Sequence, residues 1–530
     1  MAIITHPPFA SYYSGHANLF ELFSRNAQLY PRKKYIFFKD VTYTYKEMEE
    51  KIVHTAKVLS KNGVKKGHRV AVLMGNMPEY IFAYFGIVML GAVTVPINNF
   101  LTEREIVLNM NDCEAEYIIT SEHYAKSVAG LKDRVSTLKI IFTYDNASFD
   151  SVNINKEDTG GVNVLSNVVR EDVASLVYTS GTTGKPKGAT LTHYNLLCNA
   201  YDYTVVLRAS PGKERVVCIL PIFHSYAFMV CIVGPLVSGG SVLMFESVID
   251  ATKSTFKKAL LLRRPSLMIG VPQVYSAMAK RKVSFIQRLL YPFRITVSGG
   301  ASLPQGTVNA FYKNYGKYVI EGYGLSEASP IVSFNPLKRP KTGTIGTPLP
   351  SLKLKIVDDN DNEVPQGQPG ELCVQGGSVM QGYWNQPVET AKTLKNGWLH
   401  TGDIAVMDEE GYYSIIDRIK DMIIVKGMNV YPREIEELLY LYNGVNAAAV
   451  IGLPEADGSD IIVAYITLEP GADVTEKALM AYARKNLAAF KVPKFFVITD
   501  DLPMTPAGKI LKRELREKVL KDEIQIQKLQ

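Results

Sequence analysis

The sequence predicts an α/β protein: a large N-terminal part with parallel-rich sheets covered by helices, a small β-rich subdomain, and a small mobile C-terminal α/β domain. Three observations point there. From 69 to 120, strand-like and helix-like segments alternate in the βαβ rhythm of a covered parallel sheet. The rhythm resumes at 173 and runs to 315. From 342 to 418 it gives way to short strands between Gly/Pro turns. A chain of 530 residues suits three to four structural units, at about 150 residues each.

In order along the chain, residues 17–65 show helical periodicity twice, and the run YIFFKDVTYTYKEM between them reads as a hairpin and a helix start. RVAVLMG, AVTVPIN and EYIIT read as strands, with helices reaching residue 90 and starting at Thr102. The polar stretch 144–172 reads as a long connection. VASLVYTS is then a strand, GTTGKPKG a loop, and a helix starts near His193. Strand–helix pairs follow at 216–237, 241–262, 267–282 and 295–315. Beyond Lys420, two helices are expected near 431–442 and 475–488.

Composition narrows the class. The chain is 47% hydrophobic and 21% charged, which excludes bulk disorder, collagen-like repeats and a disulfide-stapled mini-fold. Its net charge, 59 − 52 = +7, is mild over this length and gives no reason to expect nucleic acid. Five cysteines occur without a CxxC pair and read as free core thiols in a reducing compartment. No Cys/His spacing supports a zinc site. The N-terminus lacks a basic region followed by an apolar one, so no signal peptide is expected and the protein is placed in the cytoplasm. Tyr80 to Asn98 is long enough to suggest a membrane span, but Gly86, Gly91 and Pro96 favour a buried helix followed by a buried strand. Glycines and a proline likewise break Tyr226 to Phe245.

The run YTSGTTGKPKG, Tyr178 to Gly188, carries the strongest chemical signal. Glycines let backbone N–H groups approach phosphate, and hydroxyls and lysines add donors. It is not a Walker A loop: two residues, not four, separate Gly181 from Gly184, and Pro186 follows Lys185. The run resembles the phosphate loop of the adenylate-forming superfamily, which includes acyl-CoA synthetases, adenylation domains and luciferases. SGGASL (298–303), EGYGLSE (321–327), GWLHTGD (397–403), DRIKDMIIVKGMNVYPREIE (417–436) and PAGKILKREL (506–515) follow in the family's order. The set is most similar to bacterial fatty acyl-CoA synthetases.

The resemblance implies ATP, Mg2+ and CoA as the small molecules handled, and a fatty acid as the acid. Thr179, Ser180, Gly181, Thr182, Thr183, Gly184, Lys185 and Lys187 would hold the nucleotide phosphates. Gly299, Gly300, Ala301, Glu321, Gly322 and Tyr323 would receive adenine, and Asp403 and Arg418 the ribose. Activating a carboxylate with ATP brings one anion onto another, so cations and donors must surround the α-phosphate. Lys509 is the implied catalytic cation, Ser326 the hydroxyl on the α-phosphate, and Glu327 the Mg2+ carboxylate. His224, Tyr226 and Phe228 in PIFHSYAF would border and gate the acyl pocket; a satisfied core histidine is the competing reading of His224. Val216 to Phe245 contains no acidic residue, so an amino acid's ammonium would lack a partner there.

The expected division is an AMP-binding domain over 1–417, with 342–417 its β-rich subdomain, a hinge over 418–421 centred on Lys420, and a C-terminal domain over 422–530. After rotation, Lys426, Gly427 and Met428 would line the CoA tunnel. Alternatives are an aryl-CoA ligase, an acyl-carrier-protein ligase, and an inactive nucleotide- or lipid-binding protein. Finally, 251–294 holds ten Lys/Arg and no acid. Its segment 279–294 is either a basic amphipathic helix for an anionic membrane surface, a solvated basic face, or an attractor for anionic CoA. A homodimer stays open.

Overall fold

The computed structural model describes residues 18–164, 167–179, 186–252, 254–281, 283–284, 288, 291–425, 428–454, 460–504 and 510–521. Among these, two large sheets form the body. The first runs, in spatial order, Gly382–Tyr383, Lys187–Thr192, Val173–Thr179, Val93–Pro96, Arg69–Val72, Tyr117–Thr120, Ile140–Thr143 and Val152–Asn153. From Val173–Thr179 onward its pairings are parallel. The second runs Thr347–Pro348, Ile331–Phe334, Val319–Gly324, Ile295–Ser298, Leu267–Gly270, Arg215–Cys218, Ser241–Met244, Lys34–Phe38 and Val41–Thr44. It is parallel from Val319–Gly324 to Lys34–Phe38 and antiparallel at both ends.

Both sheets share one core with the helix Pro78–Met89, in which every residue except Glu79 is buried. The long apolar stretch is therefore a buried helix followed by a strand. Among the described residues no helix is long and apolar enough to cross a membrane. Helix starts follow local chemistry: Thr44, Thr102 and Thr192 each form a reciprocal capping box with the residue three positions on.

The sequence reading ran the GTTGKPKG loop directly into a helix. Instead Lys187–Thr192 is a fully buried strand, antiparallel to Val173–Thr179. This strand covers the edge of the parallel run.

The β-rich part is a five-stranded antiparallel sheet: Leu352–Val357, Gly370–Gly376, Trp398–Met407 and Leu394–Lys395, with Tyr413–Arg418 also on Trp398–Met407. A small hairpin, Ile423–Val425 with Met428–Val430, leads to a sheet of Val445–Pro454, Asp460–Leu468 and Phe495–Ile498. Helices Pro432–Tyr440 and Glu476–Asn486 stand where the periodicity placed them, and a further helix, Lys512–Lys521, closes this part. It has its own cores, around Ile435, Ile462 and Leu479 and around Leu453, Tyr465 and Leu515.

All five cysteines are buried and free. Within 279–294, Lys282, Phe285, Ile286, Leu289 and Leu290 lie outside the described residues. Two residues of the expected basic apolar face contact the body of the protein, Phe293 from a buried position and Arg294 from an exposed one. Phe293 is buried in the main core, and Arg294 Nη2 sits 2.6 Å from Glu214 Oε1. Lys280 Nζ is paired 2.9 Å from Glu469 Oε1 in the C-terminal part.

Candidate functional site

Open α/β sheets bind ligands at the carboxyl ends of their parallel strands. The motif residues gather there. Gly299–Ala301 follow the strand Ile295–Ser298, and Glu321–Tyr323 end the neighbouring strand Val319–Gly324. The phosphate loop follows Val173–Thr179 in the other sheet.

The centre of the cluster is Asp403, which is 3% exposed. The Tyr323 hydroxyl donates to its Oδ2 at 2.5 Å, and Arg418 Nε lies 3.0 Å from its Oδ1. Asp403 and Arg418 are direct partners across two antiparallel strands, so the pair is set by sheet register. Burial, and then the Asp403 charge, push the Tyr323 hydroxyl far above the ordinary tyrosine range, so it stays a donor. A carboxylate has about four acceptor positions, which leaves capacity for vicinal ribose hydroxyls.

Two glycines have different reasons. A Cβ on Gly299 would fall 2.8 Å from the Tyr226 ring, so this glycine accommodates Tyr226 rather than simply opening space for a ligand. Gly300 sits at φ +81°, a conformation that L side chains rarely adopt, although a Cβ there would meet Val271 only at an ordinary 3.9 Å. Tyr226, whose hydroxyl donates to the Gly270 carbonyl at 3.4 Å, thus joins the PIFHSYAF segment to the nucleotide motif.

Ser326 Oγ is 3.0 Å from Ser225 Oγ, a second link between these segments. Glu327 is 9% exposed and accepts from the Tyr383 hydroxyl at 2.9 Å. Lys187 lies over the Tyr383 ring, 5.3 Å from its centroid, and donates to Glu389 at 2.6 Å. The Lys187 and Lys392 contacts hold the Glu389 carboxyl down at about 2. The carboxyl of Glu321 is buried and accepts the Leu303 N–H at 3.3 Å. Burial raises it to about 7, against the opposing charge of Arg433.

In the PIFHSYAF segment, Phe228 is 5% exposed and packs on Tyr84 with centroids 4.1 Å apart, near Tyr80 at 6.4 Å and Phe85 at 6.5 Å. His224 is exposed and caps the short helix Ser225–Phe228, its Nδ1 accepting from Tyr226 N at 3.4 Å. The helix continues through a π-turn, Met229–Val233, a distortion frequent near functional sites.

The fold therefore brings together Tyr323, Asp403 and Arg418, and separately Ser326 with Ser225 and Glu327 with Tyr383. Thr179 and Lys187 face each other across the hairpin. Lys420 lies in the turn Ile419–Asp421, and Met428 begins the strand Met428–Val430. Ser180, Gly181, Thr182, Thr183, Gly184, Lys185, Lys426, Gly427 and Lys509 lie outside the described residues. Sequence reasoning did not single out Ser225, Tyr383 or Glu389. Ser225 stands beside His224 in a motif already marked, a signal within reach; Tyr383 and Glu389 lie in no quoted motif.

Comparison with known proteins places the chain in a family. The family profile described as "AMP-binding enzyme" matches residues 23–384, and "AMP-binding enzyme C-terminal domain" matches 434–509. The chain is 35% identical to a long-chain-fatty-acid–CoA ligase of Escherichia coli O6:H1, covering 95% of this chain and 94% of that protein. It is also 35% identical to a feruloyl-CoA synthase of an Amycolatopsis species, covering 93% and 97%. Its fold matches the crystal structure of ATP-bound MatB from Rhodopseudomonas palustris with a TM-score of 0.86 and 28% identity, covering 95% and 99%. The Asp403 cluster thus stands within a chain matched along almost its whole length, and this chain belongs to the AMP-binding enzyme family.

Proposed function

We propose that this chain is an ATP-dependent acid–CoA ligase acting on medium- or long-chain fatty acids. The fatty carboxylate attacks the α-phosphorus of ATP and pyrophosphate leaves, giving acyl-AMP. The CoA thiol then attacks the acyl carbon and AMP leaves, giving acyl-CoA and releasing the thiol proton. The observation that carries the reading is the Asp403 carboxylate, buried and oriented by Tyr323 and Arg418, at the carboxyl ends of the motif strands. The name of the Escherichia coli relative supports the choice of acid. The acid-free segment and the aromatic packing around Phe228 suit an apolar chain.

In this reading Ser326 bonds the α-phosphate and Lys509 neutralises charge building there. Glu327 offers a hard carboxylate oxygen, held by Tyr383, of the kind Mg2+ takes. Mg2+ bound there would act as a Lewis acid on the polyphosphate oxygens. The chain divides near 417, and residues 418–421 form a hinge at Lys420 that carries residues 422–530 between the two half-reactions. Lys426, Gly427 and Met428 line the CoA path. Peripheral contact with an anionic membrane through 279–294 is retained without Phe293 and Arg294, which have partners inside the protein.

A second reading, an aryl-CoA ligase, is favoured by the feruloyl-CoA synthase relative. Pyrophosphate release and thioester formation should be measured over straight-chain acids of increasing length, ferulate and several amino acids, with CoA and with a carrier protein as acceptor. Long straight chains with CoA should give the highest kcat/KM. A maximum at ferulate would establish the second reading, and a maximum at an amino acid would overturn the pocket argument.

A further inference from the structure

The β-rich sheet assembles a cluster that the nucleotide site does not use. Cys373 and His400, which lie 27 positions apart in the chain, are direct partners across the antiparallel strands Gly370–Gly376 and Trp398–Met407. Glu371 is two residues before Cys373 on the same strand, so the strand's alternation puts all three side chains on one face. His400 Nδ1 lies 3.5 Å from Cys373 Sγ and 2.7 Å from Glu371 Oε2. One ligand atom from each residue falls within a 4.8 Å span.

We propose that Glu371, Cys373 and His400 form a binding site for a borderline-soft divalent cation, zinc in the first place. A thiolate, an imidazole and a carboxylate are a three-ligand zinc set, and the sulfur argues against Mg2+ or Ca2+. Thiolate and carboxylate together balance the dication's charge. With zinc bonds of about 2.3 Å to sulfur and 2.0–2.1 Å to nitrogen, tetrahedral angles separate S and N by about 3.5 Å. The backbone already sets that spacing. The Glu371 oxygen must withdraw by roughly 0.7 Å to reach its tetrahedral place, and this partly exposed side chain is the one with room to turn.

The far side of the imidazole supports the assignment. His400 Nε2 lies 3.4 Å from Asp361 Oδ1. Without the ion, the 2.7 Å contact keeps the ring proton on Nδ1, donated to Glu371; binding would shift it to Nε2, where the Asp361 carboxylate stands on the side from which a metal-binding histidine is usually supported. Cys373 and His400 are buried, 0% and 8% exposed, while Glu371 reaches solvent and gives the ion an entry path and a water as fourth ligand. Binding replaces the thiol proton, which leaves to solvent. Glu371 Oε1 also accepts the Gly402 N–H at 2.9 Å, one residue before Asp403, so the ion would tug on the ribose turn.

The test uses the tag-free full chain. It is dialysed against buffered zinc, then against metal-free buffer, and its metal content is measured. Cobalt(II) is added separately to look for the thiolate charge-transfer absorption. The wild type should retain about one zinc per chain and show the cobalt–thiolate band. Cys373→Ser should lose both while keeping its circular dichroism and its rate of acyl-AMP formation in metal-buffered assay. Asp361→Asn, at a partly exposed position, should bind zinc roughly tenfold more weakly. Equal zinc retention by wild type and Cys373→Ser, or no cobalt–thiolate band in the wild type, would overturn the assignment.

Discussion

Glu321 opens the EGYGLSE run, and its carboxyl accepts the Leu303 N–H at 3.3 Å while burial strips it of water. The unfolded chain releases this proton near 4.5, whereas the folded chain holds it to about 7. Between those values the folded state binds more protons than the unfolded one, so stability present below 4.5 is lost as pH rises through 7. The whole effect is on the order of 3 kcal/mol. Glu321→Gln should flatten the fall in denaturation midpoint between about pH 5 and 7 and be the more stable protein at about pH 8. Parallel curves for the two proteins would assign the pH dependence to another group. The place of Glu321 in a motif is legible from EGYGLSE; its raised pKa is not, because that is set by burial in the folded chain against the charge of Arg433, 112 positions away. The same holds for Glu327, whose partner Tyr383 is 56 positions away, and for Ser326, whose partner Ser225 is 101 away. Motif order identifies one member of each pair, and the sheet decides the other.

Among the elements, strands with β-branched or alternating residues were read correctly from periodicity, and the buried helix Pro78–Met89 from its length and glycines. The strand Lys187–Thr192 was not, because KGATLT carries Lys, Gly and Ala, residues depleted in strands, and pairing with Val173–Thr179 overrides that local preference. The helix Lys512–Lys521 is not legible either: its residues are mostly charged, and of those described only Leu515 and Val519 bury in the core, with an ion pair at its first residue. Lys512 Nζ lies 2.8 Å from Glu436 Oε1, which also accepts the Val450 N–H at 2.7 Å. Lys512 sits three residues after Lys509, so this pair anchors the far end of the segment that carries the proposed catalytic lysine. Glu436→Ala should destabilise the protein by about 2 kcal/mol in denaturant unfolding. Glu436→Leu with Lys512→Met should recover most of that loss, since removing both charges spares the stranded one. A double variant no more stable than Glu436→Ala would mean that the pair contributes through shape alone.

For the molecule as a whole, the proposed rotation about Lys420 predicts opposite defects from two substitutions. Lys509→Ala should slow acyl-AMP formation by ~10²–10³-fold, by analogy with loss of an oxyanion donor. It should still convert pre-made acyl-AMP and CoA to thioester. Gly427→Leu should do the reverse, because in the proposed reading its side chain would fill the pantetheine path and leave the first step intact. Both half-reactions must be timed for both variants; equal losses in each step would point to one conformation performing both. The register of two strands gives that rotation a mechanical setting. Arg418 grips Asp403 and stands two residues before Lys420 in the chain. The proposed clamp on the sugar and the proposed fulcrum of the swing therefore share one short length of backbone. If the proposed roles hold, a nucleotide that tightened the clamp would stiffen the fixed arm of the lever, and the torque of the moving part would be borne by the strand Tyr413–Arg418 instead of being dissipated in a slack linker.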